Sequence, residues 1–294
     1  MRTLAVSIVL VVAGAGAVAA QTPGDEQKVL QRRCHEGEKL AYMMKATNES
    51  WHYSIEADGL TKKDPDGSCF DEFRWSEFAS EGKLVVLSPA TLDFREQLTL
   101  DPNHKPAIPD FSKFDPRIIG PVTDLMTFYV DYWLGAKIGK LVHAGDHFYF
   151  KRGTPNSWAD GAYVLLGEDS IDFDYTLKAV DRSAGTATLV VRHVPPEKPE
   201  IKIPAEWMQK PVSDTPNNWV QIQKTQDGKF LGAVGKETFE VTIQLSLADG
   251  KVLSARMNNP VETVERECQD AALTKCGEPK PHAILRQVEI SLKP

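Results

Sequence analysis

Apolar and polar residues alternate with a period of two along much of the chain, as in strands that bury one face. Trp51, Tyr53, Ile55 and Ala57 alternate with His52, Ser54 and Glu56. Leu92, Phe94, Leu98 and Leu100 share a face, as do Ile171, Phe173, Tyr175, Leu177 and Ala179. Phe239, Val241, Ile243, Leu245 and Leu247 form the clearest run, and Ile284, Val288, Ile290 and Leu292 make a last strand. Asp58-Gly59, Asp66-Gly67, Asp227-Gly228 and Asp249-Gly250 fall between such runs. Asp-Gly suits the tight turns of hairpins, so the pattern predicts an antiparallel meander. A charged opening segment, Gly24 to Glu38, predicts a short helix.

One segment follows a different period. From Pro121 to Leu134, Val122, Leu125, Met126, Phe128, Tyr129, Val130, Tyr132, Trp133 and Leu134 cover most of a helical wheel, leaving a narrow stripe of Asp124, Thr127 and Asp131. A helix apolar on most sides is one with protein around it. Pro121 suits its first turn, where no amide donor is needed, and Gly135 suits its end. The expected fold is mainly β (α+β): a long curved antiparallel sheet or half-barrel wrapped around one central helix.

The first twenty residues change the setting. Arg2, an apolar run from Leu4 to Val12 and the small residues up to Ala20 have the three-part layout of a cleavable signal peptide. The run is too short for a transmembrane anchor, and no later segment has the apolar length to span a bilayer. A periplasmic or secreted, soluble mature chain, 21–294, is expected. Removing the leader takes away Arg2 and no acid, moving the net charge of −7 further negative. An acidic chain without a basic cluster disfavours nucleic acid as a partner. In an oxidising compartment, Cys34, Cys69, Cys268 and Cys276 read first as two disulfides. Cys268 and Cys276 bracket a short polar loop, which leaves Cys34 with Cys69, although three pairings are possible.

An internal repeat runs through the single β-rich domain. Thr154-Pro155-Asn156-Ser157-Trp158 recurs as Thr215-Pro216-Asn217-Asn218-Trp219, and Gly167 to Phe173 corresponds to Gly235 to Val241. Two related hairpin units, about 154–194 and 215–259, are implied. The proline-rich stretch Pro195 to Pro211 between them reads as a connecting excursion.

Candidate chemistry is sparse. His143, Asp146 and His147 offer a metal site if the stretch is extended, since His143 and His147 would then share a side; Gly145 points instead to a turn. Glu168, Asp169, Asp172 and Asp174 resemble the paired acids of glycoside hydrolysis, but alternation puts Asp172 and Asp174 on a solvated sheet face. Asp124 and Asp131, two turns apart, either aim into a cavity or mark the helix's water-facing edge. Met126, Phe128, Tyr129, Tyr132 and Trp133 either line an apolar ligand pocket or fill the core. Asn48-Glu49-Ser50 matches a glycosylation sequon, a triplet common by chance. No nucleophile elbow, phosphate loop, zinc-protease or dinucleotide motif is present. No cofactor is implied.

The repeated Thr-Pro-Asn-x-Trp segments, with the stretch from His143 to Asp174, resemble a group of uncharacterised exported bacterial proteins over most of the mature chain. That likeness implies no activity. In outline only, a curved sheet embracing a helix is similar to bacterial periplasmic lipoprotein carriers and lipid-binding half-barrels. The leading expectation is a non-catalytic exported protein holding a lipid or acyl chain between sheet and helix. Two alternatives stand beside it: an extracytoplasmic hydrolase with a metal on His143, Asp146 and His147, helped by His193, and a structural or interaction protein of the cell envelope.

Overall fold

The computed structural model describes residues 29–48, 51–107, 109–110, 113–150, 172–194, 205–215, 217, 219–225 and 227–294. The leader, the first Thr-Pro-Asn-x-Trp copy, Glu168, Asp169 and Ile171 lie outside these residues. The described chain is mainly β. It opens with β1 (Lys39–Asn48), β2 (Trp51–Lys63), β3 (Cys69–Ser80) and β4 (Lys83–Leu84), then α1 (Pro89–Asp93), β5 (Glu96–Leu98) and the long helix α2 (Ile119–Ile138). After α2 come β6 (His147–Phe150), β7 (Asp172–Asp181), β8 (Thr186–Val194), β9 (Trp219–Lys224), β10 (Phe230–Glu237), β11 (Phe239–Ser246), β12 (Val252–Cys268) and β13 (Lys280–Leu292).

All pairings are antiparallel, in the order β4-β3-β2-β1-β13-β12-β11-β8-β7-β6, with β5 beside β3. The end strands β4 and β6 do not pair, so the sheet is not a closed barrel. It does curl. Tyr129 on α2 bonds Asp71 on β3, and Asp131, two residues on, bonds His193 on β8. Six inter-strand steps separate β3 from β8, about 29 Å in a flat sheet. One helix about 10 Å across touches both only if the sheet wraps it.

Alternation decides which side wraps. One inward row reads Phe148, Tyr175, Val191, Val241, Met257, Val288, Ala46 and Tyr53 across successive strands. The next reads Leu177, Leu189, Ile243, Ala255, Ile290, Met44 and Ile55. Phe148 at the edge is only partly buried; the others are buried and form one core with α2. The hairpins β7–β8 and β11–β12, the described strands of the two proposed repeat units, lie side by side through β8 and β11.

Strand β12 serves two neighbours along one edge. Val252–Asn258 pairs with β11 and Val261–Cys268 with β10, and Thr238 between those strands donates to Pro260 O at 3.2 Å. Beyond Pro260 the sheet continues as a wing with its own small core of Ala205, Met208, Val220, Val234, Cys268 and Leu273. Disulfides join Cys268 to Cys276 at the wing tip and Cys34 to Cys69 at the start of β3. They fit an oxidising compartment. No helix among the described residues is long and apolar enough to cross a membrane.

Several local expectations change. Val29 to Glu38 is not helical; Arg33 N donates to Asp249 O, and the segment crosses the β11–β12 turn. At Gly250 there, φ is +71° and an added Cβ would sit 2.2 Å from Gln31 O. Asp58-Gly59 is mid-strand, where Phe73 lies so close that a Cβ on Gly59 would fall 2.5 Å from its ring. Leu92 to Leu100 is not one strand: Ser88 caps α1, and Leu92 on it is exposed. A bulge after Leu177 turns Ala179 out of the core. Helix α2 runs past Gly135, which packs on the Tyr175 ring, and ends at Gly139 in a left-handed conformation.

Candidate functional site

The apolar rows of the concave face end in a rim of different chemistry. Phe150 stands opposite Phe173, Phe173 opposite His193, and His193 opposite Phe239. On the far side of β11, Asn259 stands opposite Arg286, Arg286 opposite Asn48, and Asn48 opposite Trp51. These positions keep the inward phase of their strands; along β8, β12, β13 and β1 the change is from apolar to polar on the same face, and along β11 from Val241 to Phe239.

Helix α2 lies across this rim. Asp124 accepts from Tyr53 Oη at 2.6 Å and from Arg286, and Asp131 holds His193 Nε2 at 2.9 and 3.0 Å. The seven-residue step from one acid to the other spans about 10 Å of helix. Of their partners, Arg286 and His193 stand three strands apart, about 14 Å, so the helix crosses the strands. Both acids are buried, at 2% and 1% exposure. The water-facing reading of the helix stripe is thereby corrected: the sheet supplies partners to each acid.

Charge here is tightly constrained. Burial raises the Asp124 carboxyl, against the pull of Arg286 and Tyr53. Burial and the Asp124 charge hold the Tyr53 hydroxyl well above its ordinary range. For Arg286, burial opposes the charge, but Asp124 and its neighbours outweigh it and the guanidinium stays protonated. Glu237, inward-facing on β10, accepts from Asn259 Nδ2 at 3.2 Å. Burial pushes its carboxyl up to about 7, with Asn259, Arg286 and His193 pulling the other way.

The opposite end of the half-barrel is closed. Asp71 accepts from Thr61 Oγ1 at 2.6 Å and Tyr129 Oη at 3.1 Å. The buried Arg32 guanidinium donates to Glu38 Oε2 at 2.6 Å and attracts Asp71 electrostatically, beside the Cys34–Cys69 bridge. Access to the core side of the sheet is therefore greater at the rim, where Phe150, His193, Phe239 and Arg286 are only partly buried.

The sequence candidates are distributed differently. Met126, Phe128, Tyr129 and Tyr132 are in the core at 6% exposure or less, and Tyr129 meets Phe73 edge-on at 5.6 Å. Trp133 is half-buried; its Nε1 donates to His104 O at 3.0 Å and the Lys137 ammonium lies over its ring. His143, Asp146 and His147 do not converge. Asp146 Oδ2 accepts from the Val142 and His143 amides at 2.7 Å, closing the turn that Gly145 suggests, while His147 pairs with Asp174. Among the described residues no three metal-ligating side chains come together. Asp172 accepts from Tyr149 Oη at 2.7 Å, and Asp174 lies on the outer face of β7.

Alternation underplayed Asn259, Arg286 and Glu237. Their signal is polarity in the apolar phase of a strand: Asn259 keeps step with Ala255 and Met257, Arg286 with Val288 and Ile290, and Glu237 with Leu231 and Ala233.

No protein-family model matches this chain, and no curated protein matches it. A solved structure, the complex of Pseudomonas aeruginosa MucA/MucB, aligns over 87% of this chain and 89% of its own at 13% identity, with a TM-score of 0.17. A superposition that loose carries no argument about fold or function.

Proposed function

We propose that this is a non-catalytic protein of the extracytoplasmic space that binds an amphiphile, a lipid or acyl chain, at the rim of its half-barrel. One observation carries the reading. The outermost row of the apolar concave face sets partly exposed phenylalanines, Phe150 and Phe239, in line with His193, Asn259 and Arg286. Binding sites for such ligands combine apolar walls with a few placed polar groups. The helix aromatics then serve as packing, and the ligand meets the rim. The signal-peptide layout and the two disulfides support a periplasmic or secreted location.

Native mass spectrometry of protein purified from the periplasm tests this, together with titration by a fluorescent fatty acid. A co-purifying amphiphile, and uptake weakened about tenfold in Phe239→Ala as expected for one lost aromatic contact surface, would support it. Protein that emerges ligand-free and takes up no probe overturns it.

A hydrolase is favoured by one observation, the Glu237 carboxyl at about 7 beside a buried Asp131–His193 pair, a placement suited to general acid–base work. Turnover of an ester or glycoside panel that vanishes in Glu237→Gln would establish it; absence of turnover in the wild type removes it.

A further inference from the structure

We propose that Arg286 answers to two acids at once, Asp124 on α2 and Glu237 on the sheet, so that the proton on Glu237 sets how firmly the first half of α2 is seated. The inference concerns the helix itself and does not depend on a ligand.

The seat has few polar attachments. Over its first thirteen residues α2 is tied to the rim by Asp124, bonded to Arg286 and Tyr53, and by Asp131, bonded to His193. Tyr129 Oη, bonded to Asp71 on β3, ties the same stretch to the opposite end of the half-barrel, and the other contacts to the sheet are apolar. Arg286 on β13 stands opposite Asn259 on β12, and Asn259 Nδ2 donates to Glu237 Oε1. The guanidinium thus bonds the helix acid and feels the charge of the sheet acid, which its neighbour Asn259 holds.

The groups that act on Glu237 come from three strands packed there: Asn259 from β12, Arg286 from β13 and His193 from β8. On its own strand, Lys236 has the opposite phase and faces away.

The direction follows from charge. With Glu237 protonated, Arg286 has one anionic partner and the helix is held. When Glu237 ionises, a second carboxylate attracts Arg286. It competes with Asp124 for Arg286, which weakens the seat. The change belongs near neutrality, where burial and the surrounding donors leave the Glu237 carboxyl, at about 7.

Hydrogen exchange on the full mature chain reads this, with protection of residues 119–131 corrected for the intrinsic pH dependence of exchange. Protection should fall roughly tenfold as pH rises through neutrality, the factor that one pKa unit of coupling between Glu237 and the seat implies. Glu237→Gln, which keeps the shape and the Asn259 contact, should stay protected throughout. A flat wild-type profile overturns the proposal without recourse to any variant. So does a pH dependence that survives in Glu237→Gln with the fold intact by circular dichroism.

Discussion

Asn217 shows how one side chain organises a stretch of irregular chain. It is buried, and its amide donates to Met208 O at 3.1 Å and Lys210 O at 2.7 Å while its carbonyl accepts from Val212 N at 3.0 Å. Three backbone groups of 208–212 are thus satisfied by one residue of the second Thr-Pro-Asn-x-Trp copy, and Met208 is held in the wing core. Asn217→Ala would leave those groups unpaired in a buried setting and should destabilise the wing by about 2–3 kcal/mol. Equilibrium denaturation checks the size, and hydrogen exchange should place the loss in β9, β10 and 205–212. Glu96 is the contrary case, a carboxyl whose Oε2 accepts from Trp75 Nε1 at 3.1 Å and whose buried Oε1 has no partner among the described residues. Burial holds it well above the ordinary range. A group raised in the folded state contributes its full stability below its unfolded value, about 4.3, and loses it as pH rises toward its folded value. Thermal melts should therefore show wild type falling behind Glu96→Gln as pH rises above about 5, with the two converging below about 4. Parallel profiles would mean the carboxyl is ionised and partnered in the native state.

At the scale of elements, α2 is held by packing and placed by polarity. Breaking one partner of a buried ion pair leaves an uncompensated charge, so Arg286→Met alone should cost about 3–5 kcal/mol. Asp124→Asn, which keeps a hydrogen-bonding partner for Tyr53, should cost less. Removing both should cost less than the sum, because neither charge is then stranded. Denaturant titrations of the two single variants and the double variant give the coupling directly; additive losses would show that the pair does not act as a unit. The same pair marks what the sequence reveals about such elements. Apolar phase was enough to recognise the strands around Ile55, Tyr175, Ile243 and Val288, and a wheel apolar on most sides was enough to place α2 inside the sheet. The Asp124–Asp131 stripe was legible as a stripe but not as an interior one, because its burial depends on Arg286 and His193, which arrive from strands more than sixty residues away. Glu237 and Asn259 stood out of phase with their chemistry, yet only the β10–β12 pairing brings them together. Asp58-Gly59 misled for a local reason: its glycine makes room for Phe73 and turns nothing.

The molecule as a whole has two cores of unequal size joined by β12 and β13, and the two disulfides guard different parts of it. Cys34–Cys69 closes a loop with a sequence separation of 35 and ties the opening segment to β3 beside Arg32 and Asp71, at the sealed end of the main core. Cys268–Cys276, with a separation of 8, closes the tip of the wing and puts Cys268 beside Leu273, Val234 and Met208. Constraint of the unfolded chain by loops of those lengths implies about 4 kcal/mol for the first bridge and about 2.5 kcal/mol for the second. The smaller figure has the more local consequence. Among the described residues the wing core buries six side chains, too few to offset the ordering of its own strands unaided. Its stability therefore comes from the bridge and from continuity with β12 and β13. Replacing Cys268 and Cys276 by alanine should release β9, β10 and 268–276 to proteolysis and hydrogen exchange while the rows through Val191, Val241 and Val288 keep their protection. Replacing Cys34 and Cys69 should instead lower the midpoint of the main unfolding transition. If the wing variant lowers that transition equally, with no separate opening, the two cores fold as one unit and β12 transmits the wing's stability to the half-barrel.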